Sequence, residues 1–417
     1  DSDGADAVAQ ALKDDRQSIE KAVFCPALEK ENRWDEFNAW ESIISDDASE
    51  PDIEILPEDV AVLQYTSGTT GVLKGCCQTN HAFVAKAMAQ VQYFRPFLND
   101  NDYENYMVII ALGMSHAFGF GQGIVVNLTM GGTIFFAESL DEILSVIEKF
   151  RPTVWPSVPL WMKLIATHEE YQKYDISSLK VITCGSAPLP VDVIKRVEEL
   201  TGAVITEGYG MTETVNTITI NGHDHRKVGT VGVVNPNIEY LIVDQETGTE
   251  IVEDGTPGEI ICRGECVMHE YWNNPEETAK MLRNGWLYTG DIGLIDEEGF
   301  LVICDRKKDL IITGGFNVFP SELEAVAITA PNVADAIAIG VPNERRGEVP
   351  ALFVQPMPGK TIDLAEVEQV CREKLSRFKV PKEYYTMDML PKTKNRKPDR
   401  KAVRKMYLEH AFDDQKK

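Results

Sequence analysis

Basic residues are scarce in this 417-residue sequence: 41 Lys and Arg stand against 66 Asp and Glu, a net charge of −25. That excess repels nucleic-acid phosphates and anionic membrane surfaces, and so predicts no nucleic-acid partner, while leaving room for a local positive pocket. Cysteine is sparse as well. The eight cysteines are scattered, and Cys76-Cys77 and Cys262-x-x-x-Cys266 have no matching ligand pair nearby, which argues against zinc. A reduced, cytoplasmic setting with the cysteines as small core residues is the simplest expectation. No signal peptide opens the sequence and no internal repeat runs through it. Charge is missing altogether from Tyr106 to Ala137, a stretch long enough to cross a bilayer. Yet that stretch holds Gly113, Gly119, Gly121, Gly123, Gly131 and Gly132, with His116, Gln122 and Asn127 between them. Its ends, Met107 to Leu112 and Thr133 to Phe136, read as strands, so a buried strand–helix–strand unit is expected and no transmembrane segment.

What is present has the balance of a soluble globular enzyme, 43% apolar and 26% charged, in a length that suits two or three domains. Residues 1–56 are acidic and mixed, with a helical pattern near Ala5 to Leu12, a short strand candidate at Lys21 to Cys25 and a polar linker from Asp46 to Pro57. From Glu58 to about Thr219, apolar strands alternate with helical patterns: Val60–Tyr65, Met107–Leu112, Thr133–Phe136, Thr153–Pro156, Lys180–Cys184 and Ala203–Glu207. Such alternation predicts a parallel sheet with helices on both faces. From Val228 to Cys304 short strands take over, at Glu239–Val243, Gly258–Cys262, Gly293–Ile295 and Phe300–Ile303, split by turns such as Asp254-Gly255 and Glu298-Gly299. A compact α+β unit follows Arg306-Lys307-Lys308-Asp309, with helices at Pro320–Ala330 and from Asp363, where Glu366 completes a capping-box pattern.

The densest chemistry sits early. Tyr65-Thr66-Ser67-Gly68-Thr69-Thr70-Gly71-Val72-Leu73-Lys74-Gly75 follows the apolar run Val60 to Tyr65, which reads as a buried strand. Three glycines, four aliphatic hydroxyls and a lysine share this stretch. Glycine lets successive N–H groups converge on an anion, hydroxyls add donors and lysine adds a movable charge, which is chemistry for holding a polyphosphate. A Walker loop is excluded, because Lys74 is followed by Gly75, Cys76 and Cys77. Taken alone, such a stretch is a flexible turn.

Its order relative to later motifs resembles the adenylate-forming superfamily: acyl-CoA synthetases, peptide-synthetase adenylation domains and firefly luciferases. Tyr65 to Gly75 is similar to the family's phosphate loop. Gly185-Ser186-Ala187-Pro188-Leu189 is similar to its small-residue turn, and Glu207-Gly208-Tyr209-Gly210-Met211-Thr212-Glu213 to its adenine and magnesium motif. Tyr288-Thr289-Gly290-Asp291 resembles the ribose motif, Asp305-Arg306-Lys307-Lys308-Asp309 the hinge, Gly314-Gly315-Phe316-Asn317-Val318-Phe319-Pro320 the segment after it, and Pro391-Lys392-Thr393 with Lys397 the last motif. The resemblance implies an α/β fold: a large N-terminal domain, 1–307, of parallel βα subdomains plus a β-rich subdomain at about 228–304, and a small mobile α+β domain, 308–417. It implies attack of a carboxylate on the α-phosphate of ATP, releasing pyrophosphate, then capture of the acyl-AMP by CoA. Two anions must meet, so cations and amide dipoles must offset their repulsion.

The family's roles fall on this sequence as follows. Thr66, Ser67, Gly68, Thr69, Thr70 and Gly71 would hold the β- and γ-phosphates, with Lys74 assisting. Glu213 would ligate Mg²⁺, a hard cation suited to oxygen ligands. Gly185, Ser186, Ala187, Glu207, Gly208, Tyr209, Gly210, Met211 and Thr212 would line the adenine site, Tyr209 by its ring. Asp291 would accept the ribose hydroxyls and Arg306 would add a bond to ribose or phosphate. Lys397 would serve the first half-reaction. Rotation about Lys308 would then bring in the Gly314 and Gly315 side of the small domain for CoA. His116, in Met114-Ser115-His116-Ala117-Phe118-Gly119, matches the substrate-side histidine, with a core histidine as the alternative. His223-Asp224-His225 reads as an exposed turn.

Three departures stand out. Leu73 occupies a usual proline position, Arg396 a usual glycine position before Lys397, and the phosphate loop arrives early, since relatives carry roughly another hundred residues ahead of it. The chain therefore reads as a fragment, a processed form or an incompletely built protein. Tyr271-Trp272-Asn273-Asn274-Pro275-Glu276-Glu277-Thr278 and Gly285-Trp286-Leu287-Tyr288 look most like fatty acyl-CoA synthetases, so a fatty acid is the first substrate expectation. The alternatives are an aryl or other acid, or a nucleotide-binding relative whose turnover Arg396 impairs. A homodimer is compatible with this reading.

Overall fold

The computed structural model describes residues 23–24, 38–39, 49, 52–67, 73–168, 171–393, 398–412 and 415. The chain forms two units, Asp1–Ile55 and Leu56–Lys417. In the first, Val23–Phe24 pairs in parallel with Asn38–Ala39. That places a strand inside the Lys21 to Cys25 candidate. The helical pattern at Ala5 to Leu12 lies outside the described residues, as does much of the Asp46 to Pro57 linker.

The second unit begins with a hairpin, β1 (Val60–Ser67) and β2 (Leu73–Thr79), which runs into helix α1 (Asn80–Phe94). Thr79 caps α1 by accepting the Ala82 N–H at 3.2 Å. Next come β3 (Met107–Ile110), a wide helical segment at Phe118–Val125, β4 (Thr133–Phe136), α2 (Leu140–Phe150), β5 (Val154–Ser157), α3 (Pro159–Thr167), β6 (Val181–Cys184), α4 (Val191–Thr201) and β7 (Val204–Tyr209). Two short strands, β8 (Thr219–Ile220) and β9 (Val233–Val234), complete a seven-stranded sheet of order β9-β8-β7-β6-β5-β3-β4. The five strands from β4 to β7 are parallel and the last two antiparallel. Residues in β5 and β6 are buried on both faces, which is why their sequences are nearly continuous in apolar side chains rather than alternating. One face carries Trp155, Ile182 and Ile205 against the α2, α3 and α4 side chains. The other carries Val108, Val154 and Val181 against Phe94 of α1 and Val126.

The charge-free stretch forms the expected strand–helix–strand, with β3 and β4 adjacent and parallel. Its helical part is wide: the Val126 N–H reaches back five residues to the Gly121 carbonyl. Glycine permits the tight approach to the preceding turn, since a Cβ on Gly119 would lie 2.2 Å from the Gly113 carbonyl oxygen. Among the described residues no helix is long and apolar enough to cross a membrane.

One expectation is corrected. Val60 to Tyr65 is a strand, but neither buried nor part of the parallel sheet. It is the edge of a three-stranded antiparallel sheet, β12-β2-β1, where β12 is Glu270–Tyr271. Its apolar side chains Leu63 and Tyr65 are 38% and 55% exposed, while Gln64 points inward. A hairpin with a tight partner on one side only satisfies its backbone without burying both faces, and an apolar run alone does not distinguish the two situations.

The β-rich part is a separate five-stranded antiparallel sheet. It holds β10 (Ile238–Val243), β11 (Gly258–Gly264), β13 (Leu282–Arg283), β14 (Trp286–Ile295) and β15 (Leu301–Arg306), in the order β10-β11-β14-β13 with β15 also on β14. Helix α5 (Pro275–Met281) lies between β12 and β13 in sequence. The last sheet runs β17-β16-β19-β18, from β16 (Ile311–Thr313), β17 (Phe316–Val318), β18 (Val333–Asn343) and β19 (Gly347–Pro356), with β20 (Glu383–Thr386) parallel to β19. One of its cores joins Leu323 and Ala327 of α6 (Pro320–Ala327) to Val367 and Cys371 of α7 (Leu364–Lys374). The other packs Val403 of α8 (Arg400–Leu408) on Phe353 and Tyr385. Asp363 caps α7 by accepting the Ala365 N–H at 2.9 Å, and Glu366 sits in the first turn.

Candidate functional site

The β1–β2 hairpin organises the site. Its register pairs Thr66 with Lys74 and Ser67 with Leu73, so a hydroxyl and an ammonium flank the connection between the strands. Gly68, Thr69, Thr70 and Gly71 belong to that connection and lie outside the described residues. Two buried glutamines fasten the hairpin to its surroundings. Gln64 Nε2 donates to the Ser115 carbonyl at 2.5 Å, and Gln78 Nε2 donates to the Thr212 carbonyl at 2.6 Å. The hairpin therefore holds both the turn that carries His116 and the turn that carries Glu213.

Glu213 is only 6% exposed. The Tyr271 hydroxyl donates to its Oε1 at 2.5 Å, and its backbone carbonyl accepts the Met268 N–H at 2.7 Å. Burial raises the Glu213 pKa, while the Tyr271 bond and the Lys74 charge act against that rise. Lys74 sits 5.0 Å over the Tyr271 ring and pairs with Glu277 of α5. Lys280 also donates to Glu277 at 2.6 Å, and the two lysines hold that carboxyl down at about 2. An alternating series results: Glu277, Lys74, the Tyr271 ring and Glu213. Sequence reasoning named Lys74 and Glu213 and missed Tyr271 and Glu277. Both lie in the Tyr271 to Thr278 segment, about 200 positions from Lys74, and no local pattern marks either as facing the hairpin.

A second cluster stands beside the first, since Asp291 also acts electrostatically on Glu213. Asp291 of β14 is directly opposite Arg306 of β15 in the strand register. Arg306 Nε approaches its Oδ1 at 3.3 Å, and the Tyr209 hydroxyl donates to its Oδ2 at 2.7 Å. Burial and the Asp291 charge together push the Tyr209 phenol well up. The ring that adenine stacking would use is thus anchored by the residue that ribose hydroxyls would meet.

Around this pair the backbone is tightly drawn. A Cβ on Gly210 would sit 1.8 Å from the Asn216 carbonyl oxygen, so no other residue fits there without moving the chain. Gly208 is less constrained, its Cβ position lying 3.0 Å from the Thr219 carbonyl oxygen. Ser186, Val215 and Asn216 adopt φ values of 72°, 46° and 88°. Left-handed backbone at non-glycine residues costs energy, most for β-branched valine, and such strain gathers at functional sites. Gly185, Ser186 and Ala187 follow β6, and Glu207 ties their turn to β7 by accepting the Leu189 N–H at 3.3 Å. Burial raises the Glu207 pKa. The Met211 N–H donates to Thr214 Oγ1 at 3.2 Å and closes the turn that presents Thr212 and Glu213.

His116 is exposed, which corrects the core-histidine alternative; its Nδ1 accepts the Phe118 N–H at 3.2 Å at the start of the wide helical segment. His223 and His225 lie in an exposed turn, where His223 Nδ1 meets Asp224 at 2.6 Å. Lys308 is exposed just after β15. Gly314 and Gly315, with φ of 57° and 82°, form the two-residue turn between β16 and β17, a conformation that suits glycine and the twist of the strands. Near Lys308, Asp305 accepts the Ser321 N–H at 2.8 Å and Arg400 reaches Asp309 at 3.5 Å. Arg396 and Lys397 lie outside the described residues.

A buried carboxylate and a lysine beside a hairpin whose connection carries glycines and hydroxyls make a site that can hold a polyphosphate and a hard cation. Among the described residues no group of three or more His, Cys, Asp or Glu side chains converges as a metal cage. Glu213 alone fits Mg²⁺, an ion that keeps water and phosphate oxygens as most of its ligands.

The chain is similar to known proteins over most of its length. Residues 2–272 match the AMP-binding enzyme family, and residues 322–397 match the AMP-binding enzyme C-terminal domain. The chain is 38% identical over 344 residues to a long-chain-fatty-acid–CoA ligase of Bacillus subtilis (strain 168), covering 82% of this chain and 60% of the relative. It is 34% identical over 365 residues to a feruloyl-CoA synthase of an Amycolatopsis species, covering 87% of this chain and 72% of that one. O-succinylbenzoate coenzyme A synthetase of Bacillus subtilis, solved in complex with ATP and magnesium ion, superposes with a TM-score of 0.77 at 28% identity over 88% of this chain and 75% of that structure. The chain spans about 60% of the length of the fatty-acid ligases it matches. A family match over more than half of its residues, with the motifs in order on the same fold, shows that this chain belongs to the AMP-binding enzyme family of adenylate-forming proteins.

Proposed function

We propose that this chain is an acid–thiol ligase, which joins a carboxylic acid to ATP as acyl-AMP with release of pyrophosphate, then transfers the acyl group to CoA with release of AMP. The observation that carries the reading is the juxtaposition of the Glu213–Tyr271–Lys74 series with the Tyr209–Asp291–Arg306 cluster, beside the hairpin connection. In this reading ATP enters with its adenine against Tyr209 and its ribose at Asp291. Thr66, Ser67, Gly68, Thr69, Thr70 and Gly71 receive the β- and γ-phosphates, and Arg306 bonds to ribose or phosphate. Lys74 exchanges its Glu277 partner for phosphate oxygens, and Tyr271 keeps the Glu213 carboxylate oriented. Mg²⁺, held by Glu213, would neutralise charge on the phosphates. His116 borders the incoming carboxylate, and Lys397 offsets charge at the α-phosphate in the first half-reaction.

The domain division follows from the same reading: 1–307 as the large domain and 308–417 as a small one turning about Lys308, with Gly314 and Gly315 brought towards CoA in the second half-reaction. The separate cores of the last sheet support an independent small domain. A cytoplasmic location and a homodimer belong to the same reading.

For the acid, a fatty acid is the first assignment, supported by the apolar wall from Tyr106 to Ala137 and by the fatty-acid ligases among the relatives. The feruloyl-CoA synthase keeps an aryl acid as the second reading. The test is CoA-dependent release of AMP and pyrophosphate by the intact protein across a panel of acids. Each CH₂ buried in the pocket should add about 0.8 kcal/mol to transition-state binding, hence about fourfold in kcat/KM, until the pocket is full. ADP as product, or a profile flat from acetate to palmitate, would overturn the ligase class or the fatty-acid assignment respectively.

A further inference from the structure

The β1–β2 hairpin breaks the pattern that stability alone would set. A strand at a sheet edge, packed for stability, turns its apolar side chains inward and its polar ones outward. β1 does the reverse: Leu63 and Tyr65 are 38% and 55% exposed, while Gln64 is 6% exposed. On β2, Gln78 is 1% exposed, and its Oε1 has no hydrogen-bond partner among the described residues. Burying an amide, the more so with one end unsatisfied, works against stability. Two such residues on one hairpin call for another reason, and local rules are most often broken where function requires it.

The strand register supplies the reason. Thr66 lies opposite Lys74, Gln64 opposite Cys76 and Val62 opposite Gln78. Side chains alternate along a strand, so Val62, Gln64 and Thr66 share one face of β1, and Lys74, Cys76 and Gln78 share that same face of β2. Val62, at the base, packs with Ala82, Phe83 and Val215. Thr66 and Lys74 stand at the tip, beside the connection assigned above to the phosphates. The two glutamines lie behind the tip, diagonal to each other, and each reaches out to a different turn.

The two reaches are alike in form. Gln64 Nε2 donates to the Ser115 carbonyl at 2.5 Å, and Ser115 immediately precedes His116. Gln78 Nε2 donates to the Thr212 carbonyl at 2.6 Å, and Thr212 immediately precedes Glu213. A carbonyl and the next residue's nitrogen belong to one planar peptide unit. Each glutamine therefore fixes the plane from which a candidate site residue projects. The Ser115–His116 turn is exposed, and its own bonds are local: the His116 N–H donates to the Gly113 carbonyl at 3.0 Å, and the Phe118 N–H donates to His116 Nδ1. Gln64 ties that turn to a different element.

We propose that Gln64 and Gln78 are positioning residues: Gln64 sets the His116 turn for the incoming carboxylate, and Gln78 sets the Glu213 turn for Mg²⁺, both from the hairpin that takes the phosphates. The proposal rests on the ligase reading and deepens it. A carboxylate attacks the α-phosphate only when the two are held within a few tenths of an ångström of attack geometry, so turns fastened to the phosphate hairpin share its frame and keep the approach aligned.

The experiment crosses two variants with two readouts. Gln64→Met and Gln78→Met keep an unbranched side chain and remove the donor. KM is measured at saturating Mg·ATP for the acid of highest kcat/KM in the panel. Affinity for ATP is measured by calorimetry with Mg²⁺ and with EDTA. Gln64→Met should raise KM for the acid about tenfold or more, and leave the ratio of the two ATP affinities within about twofold. Gln78→Met should lower that ratio about tenfold, and leave KM for the acid within about twofold. Damage to the framework moves both readouts together, so only the crossed pattern supports the proposal. A variant that moves both readouts alike, or neither, overturns the role of its residue while the ligase reading stands. Gln64→Asn and Gln78→Asn keep the amide but withdraw it from the carbonyl; they should give the same pattern, and they replace a methionine variant that does not fold. Absence of turnover with every acid overturns the ligase reading and the role of Gln64 with it, and the calorimetric ratio still decides the role of Gln78.

Discussion

Tyr271→Phe removes one oxygen and tests how the buried carboxylate is held. Tyr271 is 2% exposed and its hydroxyl reaches Glu213 at 2.5 Å. Phenylalanine keeps the ring, and with it the surface under Lys74. What is lost is a hydrogen bond whose strength depends on the protonation of Glu213. When Glu213 is ionised the bond is charge-assisted and its loss should cost about 1.5–3 kcal/mol; when Glu213 is protonated, about 0.5–1.5 kcal/mol. Burial raises the folded pKa of Glu213 above its ordinary value. Such a group binds an extra proton in the native state, so its contribution to stability declines as pH rises from the ordinary value through the raised one. The Tyr271 bond opposes that rise, so Tyr271→Phe should steepen the decline. Urea unfolding at about pH 5 and about pH 8 should therefore show a smaller difference between wild type and variant at the lower pH and a larger one at the higher. Calorimetry should show Mg·ATP bound more weakly by the variant, with part of the loss regained as pH rises and Glu213 ionises. A difference in stability that is the same at both pH values, with unchanged Mg·ATP affinity, would refute the view that Tyr271 holds an ionised Glu213 in place.

Three further outcomes are expected. Gly210→Ala should destabilise the protein by about 1–3 kcal/mol or more, because its Cβ would meet the Asn216 carbonyl oxygen at 1.8 Å; a fall in Tm near zero would show that the Val215-Asn216 turn yields freely. Asp291→Asn should raise KM for ATP about tenfold or more, through lost charge-assisted bonds to ribose, and leave KM for the acid within about twofold; equal rises in both would assign Asp291 to the framework. Lys397→Ala should slow acyl-AMP formation by about a hundred-fold or more and still convert supplied acyl-AMP and CoA to thioester, while Arg396→Gly should speed the first half-reaction alone; stopped assays of each half separate these results from a general loss of activity.

The sequence by itself determined the five parallel strands between Met107 and Tyr209 and the family of the chain. Strands such as Val181–Cys184 are short apolar runs buried on both faces, and a run of that kind can be read locally. The motifs were legible for a related reason: a phosphate loop or a Gly210 turn is a requirement on consecutive backbone, so its signature is consecutive too. The order of those motifs, from Tyr65 to Lys397, then pointed to the family that the comparisons show.

Tertiary structure alone decided where exposure falls and which distant side chains meet. Val60 to Tyr65 has the apolar content of a buried strand, yet it lies at a sheet edge with Gln64 turned inward, because burial depends on what packs against a face and a strand does not encode its neighbours. His116 is exposed for the same reason. Tyr271 and Glu277 reach Glu213 and Lys74 only because β12 pairs with β2, a contact between segments about 200 positions apart. Lys86 lies on the buried face of α1, and its amine has no hydrogen-bond partner among the described residues. Backbone conformation follows from neighbours in sequence, whereas burial and charge pairing are properties of neighbours in space, and only the folded chain supplies those.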